Sequence, residues 1–387
     1  MGFIYSAAIS VIIVLQQSIW NIIESVSSEV SPRALTYEEM QILEKDTWIS
    51  RVWTYQELVN DRNAFFSTLA PVAQGHAIHA EKFFDCVGFS LSQWKRTRGK
   101  GHSEVLKEFR NLNTLEDTLA DRQMGVYLDR VALKVVSNMA LRSFDPEYPQ
   151  NRLLACMGTL TQEVSWGPPS ATLGELAEKM MSICESNNDY SFIYTSDIRD
   201  HTPGMRWRPS PLQPSSNEPV HLVPVVNWNN IWGTQNGQRD ARGFWLDKMV
   251  LLNPAETIDE KSKEGLERLL FGYKDLKEPD KITGWVFRRQ DCENEELSQV
   301  VLKYLQMIGF KGEREPQVCE SGLFFSQSIL SGRDSVEMYA TAGIQWVWGS
   351  PGLARWKEGG EIMYCAGVFM GVVKTEAAES LLVERLV

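Results

Sequence analysis

The segment Trp48-Ile49-Ser50-Arg51-Val52-Trp53-Thr54-Tyr55-Gln56-Glu57-Leu58-Val59 holds the residues of this chain whose types and spacing could best do chemistry. Read as one helix from Thr47 to about Asn60, capped by Asp46, it has an apolar stripe of Ile49, Val52, Trp53 and Val59. The i+4 steps from Val52 and Trp53 land on Gln56 and Glu57, so two polar side chains interrupt the buried face. A carboxylate beside an indole on such a face is paired with a donor, lies at a rim, or lines a cleft where desolvation raises its pKa for acid–base work. The residues alone leave these three open.

No other segment competes. The six cysteines (Cys86, Cys156, Cys184, Cys292, Cys319, Cys365) form no CxxC pair and read as buried free thiols, not a zinc module or a secreted disulfide framework. His76 and His79 stand three apart without an HExxH or a cysteine pair, which reads as helix surface, and no metal site is expected. The chain has no Walker loop, GxSxG or GxGxxG.

With 387 residues, 43% apolar and 23% charged, the chain has the composition of a globular protein, and its length suggests two or three domains. A net charge of −11 with no basic run argues against a grip on a phosphate backbone, so nucleic acid is not an expected partner. The stretch Lys95-Arg96-Thr97-Arg98-Gly99-Lys100 reads as a solvated loop.

Met1 to Ile23 carry no charge, which raises a membrane span or a signal peptide for this segment. The absence of a basic n-region and the polar residues Ser6, Ser10, Gln16, Gln17, Ser18 and Asn21 favour a buried strand around Ser10–Leu15 instead, with no span. Met1-Gly2-Phe3-Ile4-Tyr5-Ser6 also fits a myristoylation pattern, but no polybasic stretch supplies a second anchor, and the match reads as coincidence.

Thr36 and Glu39 form a capping box, with Leu35 and Met40 placed for a hydrophobic staple, so a helix starts near Tyr37. Helical spacing continues over Ala77–Trp94, Ser103–Leu112 and Thr114–Met139, the last bending at Gly125, and again from about Thr172 to Cys184. Five of the sixteen prolines fall in His201–Pro219, which marks a linker or long loop. Beyond it, Val220–Val226, Gly243–Leu252, Gly284–Arg288, Ile344–Trp348 and Ile362–Val373 read as strands, with helices near Asp259–Leu270 and Glu295–Met307. Nine of the thirteen tryptophans lie from Trp166 onward; without a repeat they read as core, not as a stacking platform.

Three separated segments resemble the fungal heterokaryon incompatibility (HET) domain proteins. Met1-Gly2-Phe3-Ile4-Tyr5-Ser6-Ala7-Ala8 with Val11-Ile12-Ile13-Val14-Leu15 is similar to that family's M-x-x-I-Y-x-x-A-x-x-V-I-I-x-L stretch. Arg51-Val52-Trp53-Thr54-Tyr55-Gln56-Glu57 resembles its R-V-W-x-x-Q-E signature, the most specific of the three. Asn151–Gly158 resembles a D-R-I-Y-A-L-L-G element, with asparagine in place of aspartate.

The resemblance implies a HET domain related to the TIR fold, a parallel-sheet α/β architecture, here without its first half. In TIR enzymes that cleave NAD a W-x-x-x-E glutamate sits at the active site, and Trp53-Thr54-Tyr55-Gln56-Glu57 has that spacing. The implied catalytic candidate is Glu57, which would stabilise oxocarbenium character as the nicotinamide–ribose bond breaks. Trp53 would pack on the substrate or fill the core, and Arg51 and Gln56 would hold a phosphate or a neighbouring helix. NAD is thus the implied substrate of complete relatives, with no certain cofactor. For this chain the expectation is non-self recognition and programmed cell death, through protein partners or self-association in the cytosol. The alternative is a catalytically inert interaction or scaffold protein, or a truncated remnant. The expected organisation is an α/β part of a HET domain over 1–70, a mainly α region over 71–200, a linker over 201–219 and a β-rich α+β part over 220–387 of unassigned role.

Overall fold

The computed structural model describes residues 8–28, 33–60, 63–68, 77–97, 108–123, 131–143, 147–161, 171–195, 198–210, 222–228, 231–272, 286–287, 289–346 and 349–385. Met1–Ala7, Gly125 and residues 98–100 and 211–219 fall outside them, and with them the myristoylation pattern, the start of the first HET-like segment, the expected helix bend, the end of the basic stretch and half of the expected linker. The chain is a mixed α/β protein that divides into two compact units. The first comprises Met1–Leu128, Leu141–Gly167 and Asp275–Val286, and the second Asp129–Ala140, Pro168–Lys274 and Phe287–Val387.

In the first unit the apolar run forms strand β1 (Val11–Leu15), which pairs in parallel with β2 (Ala64–Thr68), in register from Val11 opposite Ala64 to Leu15 opposite Thr68. A parallel pair needs a long crossover. Here it runs through α1 (Trp20–Ser28), α2 (Tyr37–Glu44), α3 (Thr47–Ser50) and α4 (Trp53–Asn60). The two-residue β3 (Ile78–His79) joins β2 antiparallel and leads into α5 (Ala80–Thr97), followed by α6 (Arg110–Gln123). Helix α7 (Ala132–Ala140) belongs to the second unit, and α8 (Gln150–Leu160) returns to the first. The inward face of the sheet (Ile13, Leu15, Ala64, Phe66) shares one core with Ile22 and Ile23 of α1 and Phe83 and Phe84 of α5.

The expected capping box is present: Thr36 accepts from the Glu39 N–H, and the Glu39 carboxylate accepts from the Thr36 N–H at 2.7 Å. Asp46 caps α3 through the N–H groups of Trp48 and Ile49 and also accepts from the Gln16 N–H at 3.0 Å, tying the helix start to the end of β1.

The second unit is built on an antiparallel sheet of β5 (Gly237–Asp240), β6 (Gly243–Leu252), β7 (Gln317–Cys319), β8 (Gly322–Ser326), β9 (Asp334–Thr341), β11 (Ser350–Glu358), β12 (Glu361–Gly371) and β13 (Glu379–Arg385). The order is β13-β6-β9-β11-β12-β8-β7, with β5 also on β6. A separate two-stranded ribbon pairs β4 (Trp232–Gly233) with β10 (Ile344–Gln345). Helices α9 (Leu173–Ser186), α10 (Glu260–Phe271) and α11 (Leu297–Met307) complete the unit.

One sheet face carries the core of Leu252, Phe324, Met338, Ala354, Trp356 and Phe369. On the other face Arg355 Nη1 donates to the Leu382 carbonyl at 3.1 Å, and the Tyr364 hydroxyl to the Val383 carbonyl at 2.9 Å. Side chains of β11 and β12 thus reach β13, although β6 and β9 stand between them in the sheet order, so the sheet is strongly curled. Within 198–210 the chain is packed, with Trp207 buried and the Arg199 guanidinium donating to its carbonyl.

Candidate functional site

The segment read as one helix from Thr47 to Asn60 is two helices, because Arg51 is extended (φ −72, ψ 150). The reason is tertiary. Ser143 forms a β-bridge with Arg51, donating to the Ser50 carbonyl at 2.8 Å and accepting from the Val52 N–H at 2.9 Å. The carbonyls at the end of α3 are satisfied without continuing the helix. Trp48 O accepts from the Thr54 hydroxyl, and Ile49 O from Arg142 Nη1 at 3.2 Å.

The break re-aims the following turn. On α4, Trp53 and Glu57 are half-exposed while Thr54, Tyr55, Gln56, Leu58, Val59 and Asn60 are buried. Trp53 therefore shares the open stripe with Glu57, one turn away, instead of the expected buried stripe. Arg51 is exposed and contributes its backbone. The four candidates do not converge: Arg51 lies at the helix break, Trp53 and Glu57 face outward, and Gln56 faces α8.

Glu57 accepts a 2.5 Å hydrogen bond from Trp48 Nε1. Trp48 is buried, and its ring meets Phe66 of β2 edge-on at a centroid distance of 5.2 Å. One indole thus binds both the core and the carboxylate, which fits the donor-paired reading of Glu57.

Gln56 is fully buried, and neither amide atom has a hydrogen-bond partner. It packs on Gly158 of α8, and Asn60 Nδ2 donates to the Gly158 carbonyl at 2.9 Å. Two of the segments carrying the family resemblance therefore meet through Gln56 and Gly158, with Asn60 adding a bond just beyond the first segment. Close by in sequence to the Ser143 bridge, Arg142 is buried, bonds Thr118 Oγ1 at 3.0 Å and lies 6.0 Å over the Tyr55 ring; burial lowers its pKa to about 10. Nothing local marks Arg142, since its partners Ile49 and Thr118 are distant in sequence, and the spacing of Trp48 to Glu57 fits no single helix, so the pair shows only once the break at Arg51 is known.

A concavity of the second unit lies apart from the four candidate residues. A cleft of about 1190 Å³ opens on the curled sheet face, lined among others by Arg206, Trp245, Glu337, Tyr339, Arg355 and Glu361. Its arginines are paired, Arg355 with Glu337 and Arg206 with Glu361. Burial opposes the charge of Glu337, yet the Arg355 guanidinium holds its carboxyl below the ordinary value. Burial pushes Tyr339 and Tyr364 up to about 12. The cleft thus carries two arginine–carboxylate ion pairs among its lining residues.

Among the described residues no group of His, Cys, Asp and Glu could hold a metal ion. All six thiols are buried, and burial pushes Cys156 and Cys319 up to about 12, which makes them unreactive at neutral pH. No described helix is long and apolar enough to cross a membrane. No family model, no curated protein and no solved structure matches the chain.

Proposed function

We propose that the chain is a HET-type protein of fungal non-self recognition and programmed cell death that works by binding protein partners, with Glu57 serving the fold. The family reading rests on the three motif-like segments, and the observation that carries the structural role of Glu57 is the 2.5 Å bond from Trp48 Nε1, made by an indole that is itself set in the core. A carboxylate held by a core residue acts as a structural tie. The paired arginines of the second-unit cleft supply a recognition surface, and the parallel β1–β2 pair is in keeping with a TIR-like ancestry. A cytosolic setting belongs to the same proposal, supported by the free cysteines.

One observation favours a second reading. Trp53 and Glu57 are the only half-exposed side chains of α4, which leaves the W-x-x-x-E pair open to a ligand such as NAD. Incubating the purified chain and its Glu57→Gln variant with NAD separates the two. Binding without catalysis predicts equal, background NAD loss for both; turnover abolished by Glu57→Gln would establish the catalytic reading instead.

A further inference from the structure

We propose that the cleft of the second unit binds an extended peptide segment of a partner protein, about six residues long, without net charge and with a large apolar side chain at each end. This rests on the reading of the chain as a protein-binding one and names what it binds. At about 1190 Å³ the cleft exceeds the usual small-molecule pocket of about 300–1,000 Å³.

Strand register lays out the cleft floor. Directly paired residues of an antiparallel sheet point to one face, as do residues two apart on one strand. Leu251 of β6 pairs with Tyr339 of β9, Glu337 of β9 with Arg355 of β11, Arg355 with Tyr364 of β12, and Lys357 of β11 with Ile362 of β12. The floor therefore runs from an apolar corner at Leu251, across the central Arg355–Glu337 pair, to an apolar corner at Ile362. Leu251 is 51% exposed and Ile362 42%. Tyr339 faces Leu353 in the row of Leu251, so the corners stand three strands and four residues apart. At about 4.8 Å between strands and about 3.4 Å per residue, that diagonal is about 20 Å on a flat sheet and shorter on a curled one, the reach of about six extended residues.

Three properties select a peptide as the occupant. The first is charge: the basic lining residues Arg206, Arg355 and Lys357 are matched by Glu337, Glu361 and Glu379, although the chain as a whole carries −11. Both arginines are already paired, so a phosphate or an acidic segment would bring an uncompensated charge into the cleft. The second is the mixed floor. An acyl chain would desolvate the Arg355–Glu337 pair without bonding to it, and a sugar would set hydroxyls against Leu251 and Ile362. A peptide offers backbone N–H and C=O groups to the pair and apolar side chains to the corners. The third is composition: Trp245, Met249 and the two tyrosines join the two arginines in the lining, and these are the residue types enriched at protein–protein interfaces.

Panning a phage-displayed library of random linear peptides on the full chain tests this, with the enriched sequences then measured as synthetic peptides by fluorescence anisotropy. The expected sequences carry no net charge and two large apolar residues roughly five or six positions apart. Leu251→Lys and Ile362→Lys, both at exposed positions and checked by thermal melting, each raise the dissociation constant about tenfold or more. Ile329→Lys, exposed outside the lining, leaves it unchanged. Peptides indifferent to both cleft variants would overturn the cleft site and leave a protein-binding chain standing. Failure to enrich any peptide, or enrichment of strongly charged ones, would also overturn it. An array of neutral glycans should show no binding that the two variants remove; such binding would make a sugar the occupant instead. NAD is absent throughout, so these outcomes are independent of the turnover test of Glu57→Gln.

Discussion

The Gln56 amide rests so closely on Gly158 that a β-carbon at position 158 would stand 2.2 Å from its Nε2. With the Asn60 bond to the same residue's carbonyl, this places α8 against α4 at the one position of the contact that lacks a side chain. Gly158→Ala must therefore displace Gln56 or part the helices. Urea denaturation should show a loss of about 1–3 kcal/mol, the usual cost of overpacking.

The same contact makes a less obvious prediction. Both amide atoms of Gln56 are buried without partners, so the side chain is desolvated with no return. Gln56→Met keeps the length and removes the polar atoms; it should leave the unfolding free energy unchanged or raise it by about 1 kcal/mol. A marked loss would mean that the amide has a binding partner in the working protein.

Arg142 joins two segments of the first unit by donating to the Ile49 carbonyl and to Thr118. Arg142→Met should cost about 1–3 kcal/mol by stranding a buried carbonyl. Arg142→Lys should not restore the loss, because an ammonium lacks the fork that spans both acceptors. Denaturation midpoints of the two variants check this.

A pH dependence follows from Glu39. The hydrogen bond from Arg33, at 2.7 Å, is the main cause that holds this carboxyl below its ordinary 4.5, with burial opposing and the Thr36 N–H assisting. A depressed folded-state pKa gives stability that is full above the unfolded value and is lost as pH falls through the folded one. Wild type should exceed Glu39→Gln by about 1 kcal/mol near neutrality, and the gap should close below pH 4.5. Thermal melts of both proteins from neutral to acid pH measure it.

Features set by neighbours in sequence were legible from the sequence. The Thr36–Glu39 box, the Asp46 cap, strand β1 and the exact span of β6 all follow from local spacing. The break at Arg51 was not, because the partner that causes it, Ser143, lies far along the chain. Strand β11 was hidden by its own composition, opening Ser-Pro-Gly and ending Lys-Glu, and it forms because it is paired on both sides by β9 and β12. At the site, Gln56 and Glu57 stood out as polar residues on an apolar face. Their partners Gly158 and Trp48 carry no chemical signature, and the second-unit cleft is assembled from several strands and a loop, so no single segment announces it.

A double-mutant cycle across Trp48 and Glu57 tests most directly whether Glu57 belongs to the fold. Trp48→Phe keeps an aromatic ring against Phe66 and removes the indole N–H, and Glu57→Gln removes the charge that it serves. A structural tie predicts a coupling of about 1–3 kcal/mol in unfolding free energy, with NAD loss at background in all four proteins. Zero coupling together with NAD turnover that only Glu57→Gln abolishes would contradict it.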